Sequence, residues 1–335
     1  MNNEIDDKNR QIPTFTVILA AVLSAGAALL ARGVYGGWLW LAVSAGFGAV
    51  AAFASGRHIF ALAPLFGSAA AAVLYAPLVP AWSAAAALLA YFICLSAEGK
   101  MTKNTSLIAS ATALLLLALL QFASDTYIAG GELSPAAIWA TVKAPFSEIK
   151  SSMLGLVDSM EGSDMPMYGM TSAELGSYLD SMKNVMLRSL PSIAIVSALV
   201  ISWLAHAVFG GCVRFLAPPQ VDKRGGVTMS LAAAIIFTAA FLISFLLGAS
   251  VPDSVVTVSA ENLTAVLTPG FLAVGLRTVL TGAKQRTGGG AIYIMTAVIC
   301  LAALISSAGI AAMLFVLVGL IHTFREEIRA RRRED

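Results

Sequence analysis

The sequence predicts an all-α fold: a polytopic transmembrane helical bundle of about ten spans, five plus five, around an extracytoplasmic amphipathic helical insert. Three observations carry that expectation. Of 335 residues, 58% are hydrophobic and only 12% charged, where soluble domains carry roughly 25% charge. Mean hydropathy is +0.83. Apolar runs of about 18 to 20 residues, the length of a helix that spans a bilayer, recur along the whole chain. The same composition excludes other classes. Its 28 glycines follow no repeat, its 3 cysteines cannot make a disulfide scaffold, and it is too rich in Leu, Ile, Val and Phe for disorder.

Taken in order, the apolar runs place spans at 13–31, 38–55, 59–77, 82–97 and 106–123. These form an N-terminal membrane half over residues 1–123. The first run follows a mixed-charge segment and is longer than a signal-peptide core, so it reads as an uncleaved span. A polar insert occupies 124–189. A C-terminal membrane half, 190–335, holds runs at 190–212, 229–248 and 263–281, then an apolar stretch from 291 to 324. As one helix that stretch would be about 50 Å long, beyond the roughly 30 Å hydrocarbon core. Ser306-Ser307-Ala308-Gly309 offers a turn within it.

Charge fixes the count. With the N-terminus in the cytoplasm, the outer side receives only Arg32, Lys143, Lys150, Lys183 and Arg188. A hairpin at 291–324 brings the tail, Arg325 to Arg333, to the inner side, which then holds 16 of the 21 basic residues. The positive-inside rule therefore predicts ten crossings of a bacterial plasma membrane, with both termini cytoplasmic. The net charge of +2 implies no nucleic-acid partner; the lipid bilayer is the predicted one. Cys94, Cys212 and Cys300 show no CxxC pair or metal-ligand spacing and read as small hydrophobes.

The insert is organised. Ser134-Pro135 is a helix start, a hydroxyl cap followed by proline at the first helical position. Ile138, Val142, Phe146, Ile149, Met153, Val157 and Met160 then recur at helical spacing, with a kink expected at Pro145. Thr171-Ser172-Ala173-Glu174 has the pattern of a capping box, and Leu175, Tyr178, Leu179, Met182 and Met186 follow on one face. Two amphipathic helices would lie on the outer surface or cap the bundle, the second running almost directly into the span that begins near Leu190, with Pro191 at the junction. Between them, Met165, Met167 and Met170 offer three thioethers. Such a set suits Cu(I), but packing of flexible side chains is the reading the sequence favours, and no cofactor is expected.

No Asp, Glu or Lys falls near the centre of a predicted span. That argues against a proton relay and against paired-carboxylate or metal hydrolysis. The chain also lacks a phosphate-binding loop, a nucleophile elbow and an HExxH metal motif, so an enzyme is not expected. Polar candidates remain at His206, read as a hydrogen bond to a neighbouring helix, and at Arg277, read as snorkelling to the interface. His58 marks a cytoplasmic turn. Thr268-Pro269-Gly270 should kink or break its helix, exposing backbone groups where transporters often bind substrate. In span one, Ala20, Ser24 and Ala28 stand four apart, a small-residue edge for close approach of another helix, in this chain or in a partner.

Glu261-Asn262-Leu263, the run Gly270-Phe271-Leu272-Ala273-Val274-Gly275-Leu276 and the closing Val318-Gly319-Leu320-Ile321-His322-Thr323-Phe324-Arg325 resemble the YybS-like family of bacterial membrane proteins. His322 departs from that family's Asp. The family is distantly similar to substrate-binding components of energy-coupling-factor transporters. The resemblance implies a small-molecule (vitamin-like or ion) binding and transport component, energised by separate transmembrane and ATPase subunits docking on span one. Asn262 then joins His206, Pro269, Gly270 and Arg277 as substrate-binding candidates. The alternative expectation is a non-transporting scaffold or assembly partner of cell-envelope machinery.

Overall fold

In hydrocarbon a chain must satisfy its own backbone, which favours the helix. In the computed structural model, residues 14–30, 37–67, 69, 81–160, 172–216, 228–287, 290–306 and 308–334 are described, and every regular element among them is helical. These elements are α1 (Thr14–Leu30), α2 (Gly37–Ser55), a 3-10 turn (His58–Leu62) leading into helix as far as Gly67, α3 (Ala81–Ala97), α4 (Lys103–Gly130), α5 (Pro135–Met160), α6 (Ser172–Leu216), α7 (Leu231–Gly248), α8 (Val255–Thr287), α9 (Gly290–Ser306) and α10 (Ala308–Glu334). Six of them are long and apolar enough to cross a membrane: α2, α4, α6, α7, α8 and α10. Helices α1 and α3 are apolar but shorter. Only the first part of the predicted span 59–77 falls within the described residues.

The boundaries shift where polar residues continue a helix. The fifth run, predicted to end at 123, extends to Gly130. Thr102 caps its start by accepting from Thr105 N (3.2 Å), and Gly131 ends it at φ 73°, where the left-handed backbone favours glycine. Helix α6 does not stop between insert and span. Its 45 residues pass through Pro191, about 68 Å in all. Helix α8 starts at Val255 and continues as one α-helix through Pro269, without the predicted break. Within 291–324 the described helices are α9, to Ser306, and α10, from Ala308; residue 307 lies outside the described residues.

Alanine and glycine let α2 sit at the centre of the N-terminal half. It packs on α1, α3 and α6, and 56% of its span is buried against 17% for α7. Ala45, Ala49, Ala51 and Ala52 of α2 meet Leu89, Ala90 and Ile93 of α3 and Ala205 and Phe209 of α6 in one core. A Cβ on Gly46 would stand 2.6 Å from Val208 Cγ1, so the α2–α6 approach depends on that glycine. The C-terminal half has a smaller core of Ala234, Phe237, Phe271 and Val316. Its main contact is α8 on α10. There Gly275 faces Phe315 and Gly319 faces Phe271. A Cβ on either glycine would fall within 2.0 Å of the opposing carbonyl oxygen.

Helix α5 starts at Pro135, and Ser134 Oγ accepts from Ala137 N (3.1 Å), as predicted. It runs without interruption through Pro145 and packs on α6, tied by Lys150 Nζ to Asp180 Oδ2 at 2.6 Å. Val142 and Phe146 are half-buried, whereas Ile138, Ile149 and Met153 remain exposed, as do Tyr178, Met182 and Met186 on α6.

Candidate functional site

The sequence candidates occupy separate places. Ala20 and Ser24 are buried, and Ala28 is half-buried. Ser24 Oγ donates to Ser44 O and Ser44 Oγ donates to Ser24 O, both at 2.8 Å, so α2 of the same chain occupies this edge. Asn262 lies two turns inside α8 and bonds to α6. Gly270 lies under Met229, whose Sδ would be 2.7 Å from an added Cβ. Pro269 is half-buried and Arg277 is exposed. Asn262 and Arg277 are about 22 Å apart along one helix and cannot share a small ligand. Met165, Met167 and Met170 lie outside the described residues.

His206 is the centre of the best-developed polar site. It is 7% exposed. Its Nε2 lies 2.9 Å from Ser106 Oγ on α4, and its Nδ1 lies 2.9 Å from Ser202 O one turn back on α6. Ser106 Oγ also donates to Phe92 O of α3 at 3.0 Å. A carbonyl only accepts, so the contacts at Ser202 O and Phe92 O each need a proton. All three bonds coexist only with the doubly protonated ring; a neutral ring makes two of them. One turn from Ser106, and again one turn from His206, Ser110 and Ser202 are fully buried with hydroxyls that have no hydrogen-bond partner.

A second site joins α6 to α8. Pro191 has no N–H, and its ring crowds the carbonyl four residues back, opening the helix at this step. Asn262 meets the opened groups: its Oδ1 accepts from Ser192 N (3.1 Å) and its Nδ2 donates to Arg188 O (3.0 Å) and Val258 O (2.8 Å). Beside it, Arg188 pairs with Glu261 at 2.8 Å and with Asp253 at 3.2 Å, while its buried Nε has no partner. The sequence showed Pro191 and Asn262 singly. Seventy residues separate Asn262 from Ser192, so no local pattern reports the pairing.

A third cluster lies where the turn after α2 meets the end of α3. His58 Nδ1 is 3.7 Å from Cys94 Sγ, and the Cys94 thiol donates to Glu98 Oε1 at 3.6 Å. His58 Nε2 is 3.6 Å from the same Oε1, and Lys100 Nζ is 2.8 Å from Oε2. Partial burial pushes the Glu98 carboxyl up, but Lys100 and then His58 outweigh it and hold it below the usual carboxylate range. The Tyr91 ring meets His58 edge-on, with centroids 5.6 Å apart. Imidazole, thiol and carboxylate are donors that a cation can use. His58 was expected only to mark a turn and Cys94 only to fill space. The available signal was Cys94 and Glu98 four apart on one helix face. His58, 36 residues upstream of Cys94, arrives only by folding.

A comparison with known protein families, curated proteins and solved structures finds no match to this chain.

Proposed function

We propose that the chain is a multi-pass protein of a bacterial plasma membrane. In this reading it crosses ten times with both termini cytoplasmic, and α5 with the first part of α6 forms the extracytoplasmic insert. It binds a small molecule or ion for transport energised by partner subunits, and is not itself an enzyme. One observation carries the binding role: His206 is buried among apolar helices, with unpartnered hydroxyls at Ser202, one turn back on its own helix, and at Ser110, one turn from its partner Ser106. An ionisable group inside a membrane is costly and faces a bundle interior or a substrate path. Unpaired buried hydroxyls cost about 1–3 kcal/mol each until a polar partner fills them. A bound ligand supplies that partner. The resemblance to YybS-like proteins and to energy-coupling-factor binding components supports the same reading, as does the lack of a phosphate-binding loop, since energy then comes from other chains. The edge of α1 holding Ala20 and Ser24 packs on α2, so docking of another subunit is assigned to exposed residues of α1 such as Phe15, Ile18 and Val22.

The test is purification in mild detergent followed by native mass spectrometry. A tightly held small molecule, lost in His206→Ala and Ser202→Ala, or co-elution with ATPase subunits, supports the reading. An empty protein that co-elutes with envelope machinery sinks it and favours a scaffold. The scaffold reading has one observation behind it, the exposed apolar residues Ile149, Met153, Met182 and Met186 on the α5–α6 hairpin.

A further inference from the structure

We infer that His58, Cys94 and Glu98 form a binding site for a borderline divalent cation, with Zn²⁺ the best match. The inference is independent of the ligand-binding role of His206. The three residues offer one nitrogen, one sulfur and one oxygen, the donor types from which zinc sites are built. Their ligating atoms all lie within 4.8 Å of one another. Donors bound to one tetrahedral zinc at about 2.0–2.3 Å stand about 3.3–3.6 Å apart. Here Nδ1 to Sγ is 3.7 Å, Sγ to Oε1 is 3.6 Å and Nε2 to Oε1 is 3.6 Å; the two His58 distances run from different ring nitrogens, and the triangle closed by a single nitrogen has all its sides within 4.8 Å. A side-chain movement of about 1 Å brings the remaining side to the zinc spacing.

The surroundings fit a bound cation. Lys100 engages Oε2 and leaves Oε1 turned towards His58 and Cys94, the orienting role that outer partners play around metal ligands. Cys94 and Glu98 lie at the C-terminal end of α3, where the helix dipole favours positive charge. Cys94 is fully buried, which protects the thiolate, while His58 retains 38% exposure of its side chain and gives the ion a way in. Three protein ligands leave a fourth position for water. Binding deprotonates Cys94, with the proton passing to solvent, and the cation then ties the turn after α2 to the end of α3.

The test uses the purified full chain in detergent with Co²⁺ as the probe and Zn²⁺ as competitor. The expected result is one Co²⁺ per chain, with a thiolate-to-cobalt charge-transfer absorption that Zn²⁺ displaces. Cys94→Ser abolishes that absorption, whereas Cys212→Ser and Cys300→Ser keep it. His58→Asn and Glu98→Gln each weaken binding by at least about tenfold. Since both positions are partly exposed, they decide the matter even if Cys94→Ser does not fold. Absence of the absorption in the parent protein, its persistence in Cys94→Ser, or unchanged affinity in both His58→Asn and Glu98→Gln overturns the site.

Discussion

At the scale of the residue, the charges that matter sit at the ends of helices. Glu98 is tied to Lys100 and His58. Its folded pKa is lowered from the ordinary 4.5, so its stabilising contribution is present above that value and is lost as pH falls through the lower folded pKa. Without added metal, the parent protein should therefore lose stability to Glu98→Gln at neutral pH, and the difference should vanish in acid. Thermal unfolding in detergent across pH checks this; a difference that persists in acid would assign the effect to packing. Glu98 also shows the limit of reading residues singly. Its four-residue spacing from Cys94 is visible in the chain, yet its meaning depends on a histidine that only the tertiary fold supplies.

At the scale of the element, two junctions set how the helices meet. At the first, Asn262 bonds Ser192 N and Arg188 O across the step opened by Pro191. Asn262→Ala leaves both groups unanswered in a partly buried place and should cost about 1–3 kcal/mol. In a Pro191→Ala background the helix can close on itself, so the same substitution should cost clearly less. A double-mutant cycle of unfolding free energies checks the coupling, and additivity would refute it. At the second junction, α8 and α10 cross at Gly275 and Gly319. An added Cβ on Gly275 would stand 1.8 Å from Phe315 O. Gly275→Ala should force the helices apart at a cost of about 1–3 kcal/mol, whereas Gly282→Ala, with open space around it, should be neutral or better. Denaturation of the pair of variants decides. Both glycines stand in motifs quoted for the family resemblance, but their mutual contact was not legible. A glycine in sequence says that space is needed, not which neighbour needs it.

At the scale of the whole molecule, periodicity and composition made the helices legible because an apolar run in lipid has few alternatives. Helix existence and the Ser134-Pro135 start follow from local chemistry, and so do the described helices. The lengths of α4 and α8 were not legible, since hydropathy stops at the first polar residue while backbone hydrogen bonding continues; the run of α6 from the insert into its span was, because its apolar face leads straight into the run from Leu190. Charge favours a hairpin at 291–324, and α10 extends as helix into the arginine-rich tail. A reporter fused after Asp335 should accordingly be active only in the cytoplasm. Activity outside would remove one crossing and invert the placement of five arginines.

The small side chains at the centre of α2 have a consequence for how this protein tolerates change. Most cores fail when large residues are cut back, because truncation leaves a void. Here the buried positions are largely Ala, Gly and Ser, and Ala45, Ala49 and Ala51 have no exposed surface. Shortening has almost nothing to remove, whereas an added carbon on Gly46 meets Val208 of α6 at 2.6 Å, and one on Gly48 meets Ser24 of α1 at 3.1 Å and Ala90 of α3 at 3.2 Å. The permitted set at these sites is bounded from above by volume. Saturation substitution of α2, scored by folded yield, should admit Gly and Ser at Ala45 and Ala49 and reject everything from Val upward. Equal acceptance of Ser and Leu there would refute the volume limit. Within the N-terminal half, variation should therefore narrow towards smaller side chains as the centre of the bundle is approached.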